Sequence, residues 1–159
     1  MNRLRSLPRR AHVMSDEWTD ARQLALELAG LAPPLNVDVM SMGLVLEPGE
    51  RALRQVPVEV RHADRARWTG ESRGVGLLTS RRVLLNLEAG QSVSFWWGSL
   101  VGFRPCVEDG YAVFDYSDGV ARLMSSRAMA SIAVAGIAAL YGNAGLVEHP
   151  ALATLRGAT

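Results

Sequence analysis

The sequence predicts a mainly β domain with added helices: an antiparallel barrel or sandwich of short strands, a C-terminal helix that caps it and an N-terminal helix. From residue 43 to about residue 125, apolar residues recur with a period of two, as they do in half-buried strands. Glycine-containing turn signals separate these stretches, which is typical of strands joined by hairpins. The segments before and after this region have a helical period instead.

Residues 15–31 predict the N-terminal helix. Ser15 occupies the N-cap position, and Gly30 stands where a helix commonly ends. Trp18 lies on an apolar stripe with helical spacing, which needs a surface to pack on. We interpret Trp18 as a packing anchor, with stacking on a ligand as the alternative. Residues 1–14 are basic, and we expect them to form a disordered arm.

The region of period two predicts a series of strands. In "QVPVEV" (55–60), three valines alternate with polar residues, and Pro57 indicates an edge strand or a bulge. The other strand candidates are 43–47, 66–70, 74–79, 82–88, 92–97, 100–106, 111–116 and 120–125.

The last predicted element is a helix from about residue 125 to residue 143. No charged residue occurs between Ala128 and Val147, so a membrane span is an alternative. The stretch is rich in alanine and glycine, which are weakly apolar on insertion scales, and Gly142 would interrupt a span. An alanine-rich helix packed closely on a sheet explains the same composition. We expect residues 143–159 to form a short, frayed tail.

Four short motifs occur in an informative order. They are "LVLEPGERAL" (44–53), "GVGLLTSRRVLL" (74–85), "SVSFWWGSLVGF" (92–103) and "DGYAVFDYSDGVARLMS" (109–125). A Pro-Gly-Glu entry, a Gly-x-Leu-x-Leu-Thr-x-x-Arg hairpin, a Ser-x-x-Trp step and a following helix are typical of bacterial domains of the pleckstrin-homology (PH) superfamily, including the GRAM type. Residues 43–142 therefore resemble a PH-like domain.

The resemblance implies an antiparallel sheet of seven strands closed by one C-terminal helix. It also implies a non-catalytic adaptor that binds a protein partner or associates with itself. The chain departs from the eukaryotic PH pattern because its C-terminal helix contains no tryptophan, and the GRAM-like or bacterial branch therefore fits better. All 17 basic residues are arginine, a composition typical of GC-rich bacterial genomes.

The chain carries few residues suited to catalysis. Its three histidines lie in separate segments, and none stands in a motif with a serine or cysteine nucleophile. Cys106 is the single cysteine, so it forms no internal disulfide and offers no cysteine cluster for a metal. We predict that the protein is not an enzyme, has no cofactor and no metal, and resides in the cytoplasm or at the inner face of the membrane.

An arginine-rich segment spans residues 51–82, with eight arginines against three acids. The resemblance implies that the loop at 61–67 binds headgroups in the members that bind lipids. An arginine presents a planar fork to an anion, and Arg65 and Arg67 are expected on one face of a strand. The alternative is a solvated face, since arginine is the only cation available. The candidate anion-binding residues are Arg61, Arg65, Arg67, Arg81 and Arg82.

Trp96 and Trp97 are adjacent in a predicted strand and point to opposite faces. We expect Trp97 in the core with Val93 and Phe95, which leaves Trp96 facing outward unless the N-terminal helix covers it. Trp96 is therefore a candidate for contact with a partner, as is Trp18.

Three functions remain open. The first is an adaptor for a protein partner or a second copy of the chain. The second is weak binding of an anionic lipid or nucleic acid through residues 51–82, with nucleic acid the less favoured. The third, also less favoured, is a small enzyme or ligand carrier with an apolar cavity under the C-terminal helix, which a filled barrel would exclude.

Overall fold

The computed structural model describes residues 9–88 and 90–157, with side chains from residue 16 onward. Helix α1 is followed by seven strands and two further helices. Their bounds are α1 (Arg9–Leu28), β1 (Ala52–Asp64), β2 (Arg67–Thr79), β3 (Arg82–Leu87), β4 (Ser92–Trp96), β5 (Leu100–Cys106), β6 (Tyr111–Tyr116), β7 (Ala121–Ser125), α2 (Met129–Glu148) and α3 (Ala153–Gly157). Short 3₁₀ turns at Met40–Met42, Trp97–Ser99 and Pro150–Leu152 connect some of them.

The strands form one antiparallel sheet in the order β4-β3-β2-β1-β7-β6-β5. The long strand β1 lies in the middle, because it pairs with β2 along its length and with β7 from Glu59 to His62. Strands β4 and β5 form the two edges. The sheet with its helix α2 confirms the predicted fold class: seven antiparallel strands with a C-terminal helix and an N-terminal helix.

Two strand predictions need correction. The stretches 66–70 and 74–79 belong to the single strand β2, because β1 is long enough to pair with both. Residues 43–47 form no strand, because side chains bind their backbone. The Glu50 carboxylate accepts from the N–H of Glu47 at 2.8 Å, and Arg82 donates to the carbonyl of Val45 at 3.3 Å.

An aromatic cluster fills the space between the sheet and α2. Phe114 lies at its centre, with ring centroids 5.3 Å from Phe95, 5.8 Å from Trp97 and 5.1 Å from Phe103. Gly136 of α2 faces this cluster, and a Cβ there would lie 2.8 Å from Phe103 and 2.9 Å from Trp97. The helix can therefore pack this closely only because the position is glycine.

By length and composition, helix α2 is long and apolar enough to cross a membrane, with a mean hydropathy of 1.6. Its first half is buried, from Met129 to Ile137, which accounts for the composition without a membrane. Gly142 has a φ of 67° and kinks the helix, but the helix continues to Glu148. The expected frayed tail is therefore wrong for the described residues, since α3 follows and buries Leu152 and Leu155.

Helix α1 already includes Arg9, so Ser15 lies inside the helix and the expected N-cap is wrong. Residues 9–14 of the expected disordered arm are helical, and residues 1–8 lie outside the described part of the chain. The helix packs on α2 and α3. On its apolar stripe, Ala21 and Leu24 are fully buried and Trp18 packs against the core, as the helical period predicts.

A buried ion cluster joins α1 to β1. The Arg54 guanidinium contacts the Glu27 carboxylate at 2.9 Å and the Asp20 carboxylate at 3.0 Å. The side chains of Arg54 and Glu27 are only 8% and 2% exposed. Burial alone would lower the pKa of Arg54, but the hydrogen bonds and charges of Glu27 and Asp20 outweigh it and raise this pKa. The cluster therefore fixes one face of α1 over the start of β1.

We predict that Glu27→Gln lowers the free energy of unfolding by about 3 kcal/mol, because it removes one partner from a buried charge pair while keeping the side-chain volume. Urea denaturation measures this change. Asp115→Asn serves as the control, since Asp115 pairs with the largely exposed Arg104 at 3.1 Å. The control should cost less than about 1 kcal/mol. Equal losses in the two variants would contradict a stabilising role for the buried cluster.

Candidate functional site

The five candidate arginines lie at opposite ends of β1. Arg81 and Arg82 follow the β2–β3 turn beside Ala52, where β1 begins, because Ala52 pairs with Thr79. Arg61, Arg65 and Arg67 lie near the other end. At about 3.3 Å per residue, the 13 residues of β1 span roughly 40 Å. The two groups of arginines therefore form no common anion site.

Arg82 is a buried structural residue. Its Nε lies 2.8 Å from Glu50 Oε1 and its Nη2 lies 3.1 Å from Oε2, so the carboxylate occupies one edge of the guanidinium. The Thr79 hydroxyl also donates to Glu50 at 2.7 Å. Burial pushes the pKa of Glu50 up, but these hydrogen bonds and the N–H of Glu47 outweigh it and hold that pKa below its ordinary value. In this arrangement Arg82 stabilises the fold.

Trp96 and Arg81 lie beside this buried pair. Trp96 is half-buried, and the Arg82 guanidinium stacks over its ring at 4.3 Å from the centroid. Phe95 and Trp97 are buried in the core as predicted, whereas Val93 is 37% exposed. Arg81 is exposed and pairs with Glu47 at 3.2 Å.

Most of the charge in residues 51–82 is neutralised within the fold. Five of the eight arginines form ion pairs, and four of the acidic partners come from outside the segment. The pairs are Arg54 with Asp20 and Glu27, Arg61 with Glu59 and Glu71, Arg73 with Glu59 and Glu71, Arg81 with Glu47, and Arg82 with Glu50. Within the described chain, Arg51, Arg65 and Arg67 form no ion pair.

The far ends of β1 and β2 form a projecting arm, defined here as residues 61–71. Strand β3 pairs with β2 only from Gly74 to Leu78, and β7 pairs with β1 only as far as His62. The rest of the arm therefore extends beyond both neighbouring strands. Residues 64–71 are all exposed.

Arg65 and Arg67 do not share a strand face, so that prediction is wrong. Arg65 lies in the turn, with a φ of 55°, and Arg67 opens β2 opposite Asp64. The chain thus reverses direction between them. A register shift follows at Gly70, whose φ is 70°. A Cβ on Gly70 would lie 2.4 Å from the His62 ring, so glycine allows both the bulge and this close packing.

Trp68 is the arm residue that sequence reasoning missed. It pairs across the arm with Ala63, whose small side chain covers little of the indole, and it is 42% exposed. Residues directly opposite in an antiparallel pair share a face, and alternate residues of one strand do too. Trp68 therefore shares a face with Arg61. The sequence feature that could have indicated Trp68 is a tryptophan directly after Arg67, beside a turn.

Among the described residues, the histidine, cysteine, acidic and aromatic side chains outside the arm serve structural roles rather than forming a second site. In the described chain, no cluster of three or more histidine, cysteine or acidic side chains is placed to hold a metal ion. His149 Nδ1 accepts from the N–H of Ala151 at 3.1 Å and so caps a 3₁₀ turn. The four rings of the aromatic cluster pack under α2, in the space where a ligand carrier would need its interior cavity.

No protein-family model matches the chain, and no curated protein matches it. Among solved structures, the fold is similar to the Vps36 N-terminal PH domain, with a TM-score of 0.42 and 16% sequence identity. The match covers 65% of this chain and 86% of that chain. At this distance the similarity concerns the fold alone, and the function has to be inferred from this chain's own residues.

We predict that the Glu50 carboxylate makes the fold sensitive to acid. Its pKa in the folded state lies below its ordinary value of 4.5, so its stabilising effect is complete above pH 4.5 and is lost as the pH falls through the lowered pKa. Glu50→Gln should be about 3 kcal/mol less stable than the wild type at pH 7, and this difference should shrink towards pH 3.

Urea denaturation between pH 7 and pH 3 measures both effects. Glu47→Gln is the matched control, because Glu47 is exposed and pairs with the exposed Arg81. A difference between the wild type and Glu50→Gln that stays constant over this range would contradict the assignment.

Proposed function

We propose that this chain is a non-catalytic binding module that contacts a protein partner through the arm. The observation that carries this proposal is the partly exposed Trp68 at the end of a two-stranded projection. Tryptophan and arginine are enriched among the residues that dominate binding energy at protein interfaces. Trp68 has Arg67 beside it and Arg61 on its own face, which is the composition of such a contact.

The charge of the arm favours a protein over an anionic polymer or a membrane. Residues 61–71 contain three arginines, one aspartate and one glutamate, so their net charge is +1. Each basic residue near an anionic membrane contributes about 1 kcal/mol, so this balance gives little attraction. A mixed-charge rim around an aromatic residue instead fits the polar rim and apolar centre of a protein interface.

Anionic lipid remains the second candidate because of one observation. Arg65 and Arg67 form no ion pair with any residue that the structure describes, so their guanidinium groups are available to phosphate. Self-association is a further form of the first candidate, since β4 and β5 are the edge strands of the sheet.

We predict that Trp68→Ala weakens binding to the protein partner by at least about tenfold, because it removes the central apolar contact. The wild type captures the partner from a lysate of the source cell, and calorimetry with the purified partner then gives the affinity. Tyr141→Ala is the matched control, since Tyr141 is an exposed aromatic residue on α2. It should leave the affinity unchanged.

Lipid vesicles test the alternative. Vesicles of phosphatidylglycerol should retain little protein at physiological salt, and Arg65→Gln with Arg67→Gln should change this little. Strong retention that falls steeply with salt and is lost in this double variant would contradict the protein-binding proposal, as would a partner that Trp68→Ala binds as tightly as the wild type does.

A further inference from the structure

A groove of about 370 Å³ lies between α1, α2 and α3. None of its lining residues belongs to a strand, so it is separate from the filled space under the sheet and from the arm. Its walls are apolar: Ala21, Ala25 and Leu26 from α1, Val134 and Leu146 from α2, and Leu152 and Leu155 from the C-terminal segment. The remaining two lining residues are Arg22 and Arg156.

Backbone carbonyls hold both arginines in place. Arg22 Nε donates to the carbonyl of Leu155 at 2.8 Å. Arg156 Nη1 donates to the carbonyls of His149 at 3.1 Å and Leu146 at 3.4 Å. These contacts orient the guanidinium groups but bring no negative charge.

Neither arginine forms an ion pair with a described residue, which contrasts with Arg54 and Arg82. Two oriented cations therefore stand at an apolar groove with hydrogen-bond donors still available. An arginine has five N–H donors in a fixed fork; the contacts above use one on Arg22 and the two of Nη1 on Arg156. The remaining donors suit a planar anion such as a carboxylate.

We propose that this groove binds a medium-chain carboxylic acid, with the alkyl chain against the leucines and the carboxylate on Arg22 and Arg156. The volume supports a small occupant, since pockets for small ligands range from about 300 to 1,000 Å³. The charge supports an acid over a neutral lipid, because a carboxylate brings a negative charge to the two guanidinium groups. This site is independent of the proposed partner surface on the arm.

Isothermal titration calorimetry of the full chain with octanoate tests the proposal, and octanol is the neutral comparison. We expect one octanoate per chain and binding of octanol at least tenfold weaker. Arg156→Gln and Arg22→Gln should each weaken octanoate binding at least fivefold and leave octanol binding unchanged. Arg51→Gln is the matched control, an exposed arginine without an ion pair among the described residues, and should bind octanoate as the wild type does.

Filling the groove provides a second test that does not depend on charge. Ala25→Leu keeps a good helix former on α1 and occupies the groove, so it should abolish binding of both compounds. Circular dichroism and thermal melting confirm that each variant is folded. The proposal is overturned if the wild type does not bind octanoate, if octanol binds as tightly as octanoate, or if folded Ala25→Leu binds octanoate normally.

Discussion

Two buried arginine–glutamate pairs hold the outlying segments of the chain on the sheet. Arg54 binds Glu27 of α1, and Arg82 binds Glu50 of the loop that precedes β1. A buried charge without its partner is costly, so each pair specifies where its helix or loop must lie. The position of α1 in turn helps to form the groove between the helices. The loop at residues 44–50 packs without strand pairing because Glu50 and Arg82 satisfy part of its backbone.

These ion pairs change how the arginine-rich composition of residues 51–82 is interpreted. Residues 51–82 resemble a basic surface when they are counted along the sequence, but Arg54 and Arg82 face inward, and nearby acids pair with Arg61, Arg73 and Arg81. The arm itself has a small net charge and an exposed indole at Trp68. Recognition by a protein surface fits this distribution better than attraction to a polyanion.

The features that depend on local sequence were predictable. Strands 100–106 and 111–116 match their predicted bounds, because alternation of apolar residues and turn glycines are local signals. The burial of Arg82 was not predictable, since its partner Glu50 lies 32 residues away and nothing in the sequence marks the two as neighbours. The exposure of Trp68 was missed for a related reason. It depends on the ends of β1 and β2 having no further strand beside them, which is a property of the whole sheet.

The central claim is that the arginines of residues 51–82 include both buried structural residues, Arg54 and Arg82, and exposed residues of the arm, Arg65 and Arg67. Hydrogen exchange of the arginine Nε–H groups, followed by ¹⁵N NMR, tests it most directly. Arg82 donates its Nε–H to the buried Glu50 and Arg54 donates its own to the partly buried Asp20, so these protons should exchange far more slowly than those of Arg65 and Arg67. Exchange of all four at the rate of free arginine would contradict the account.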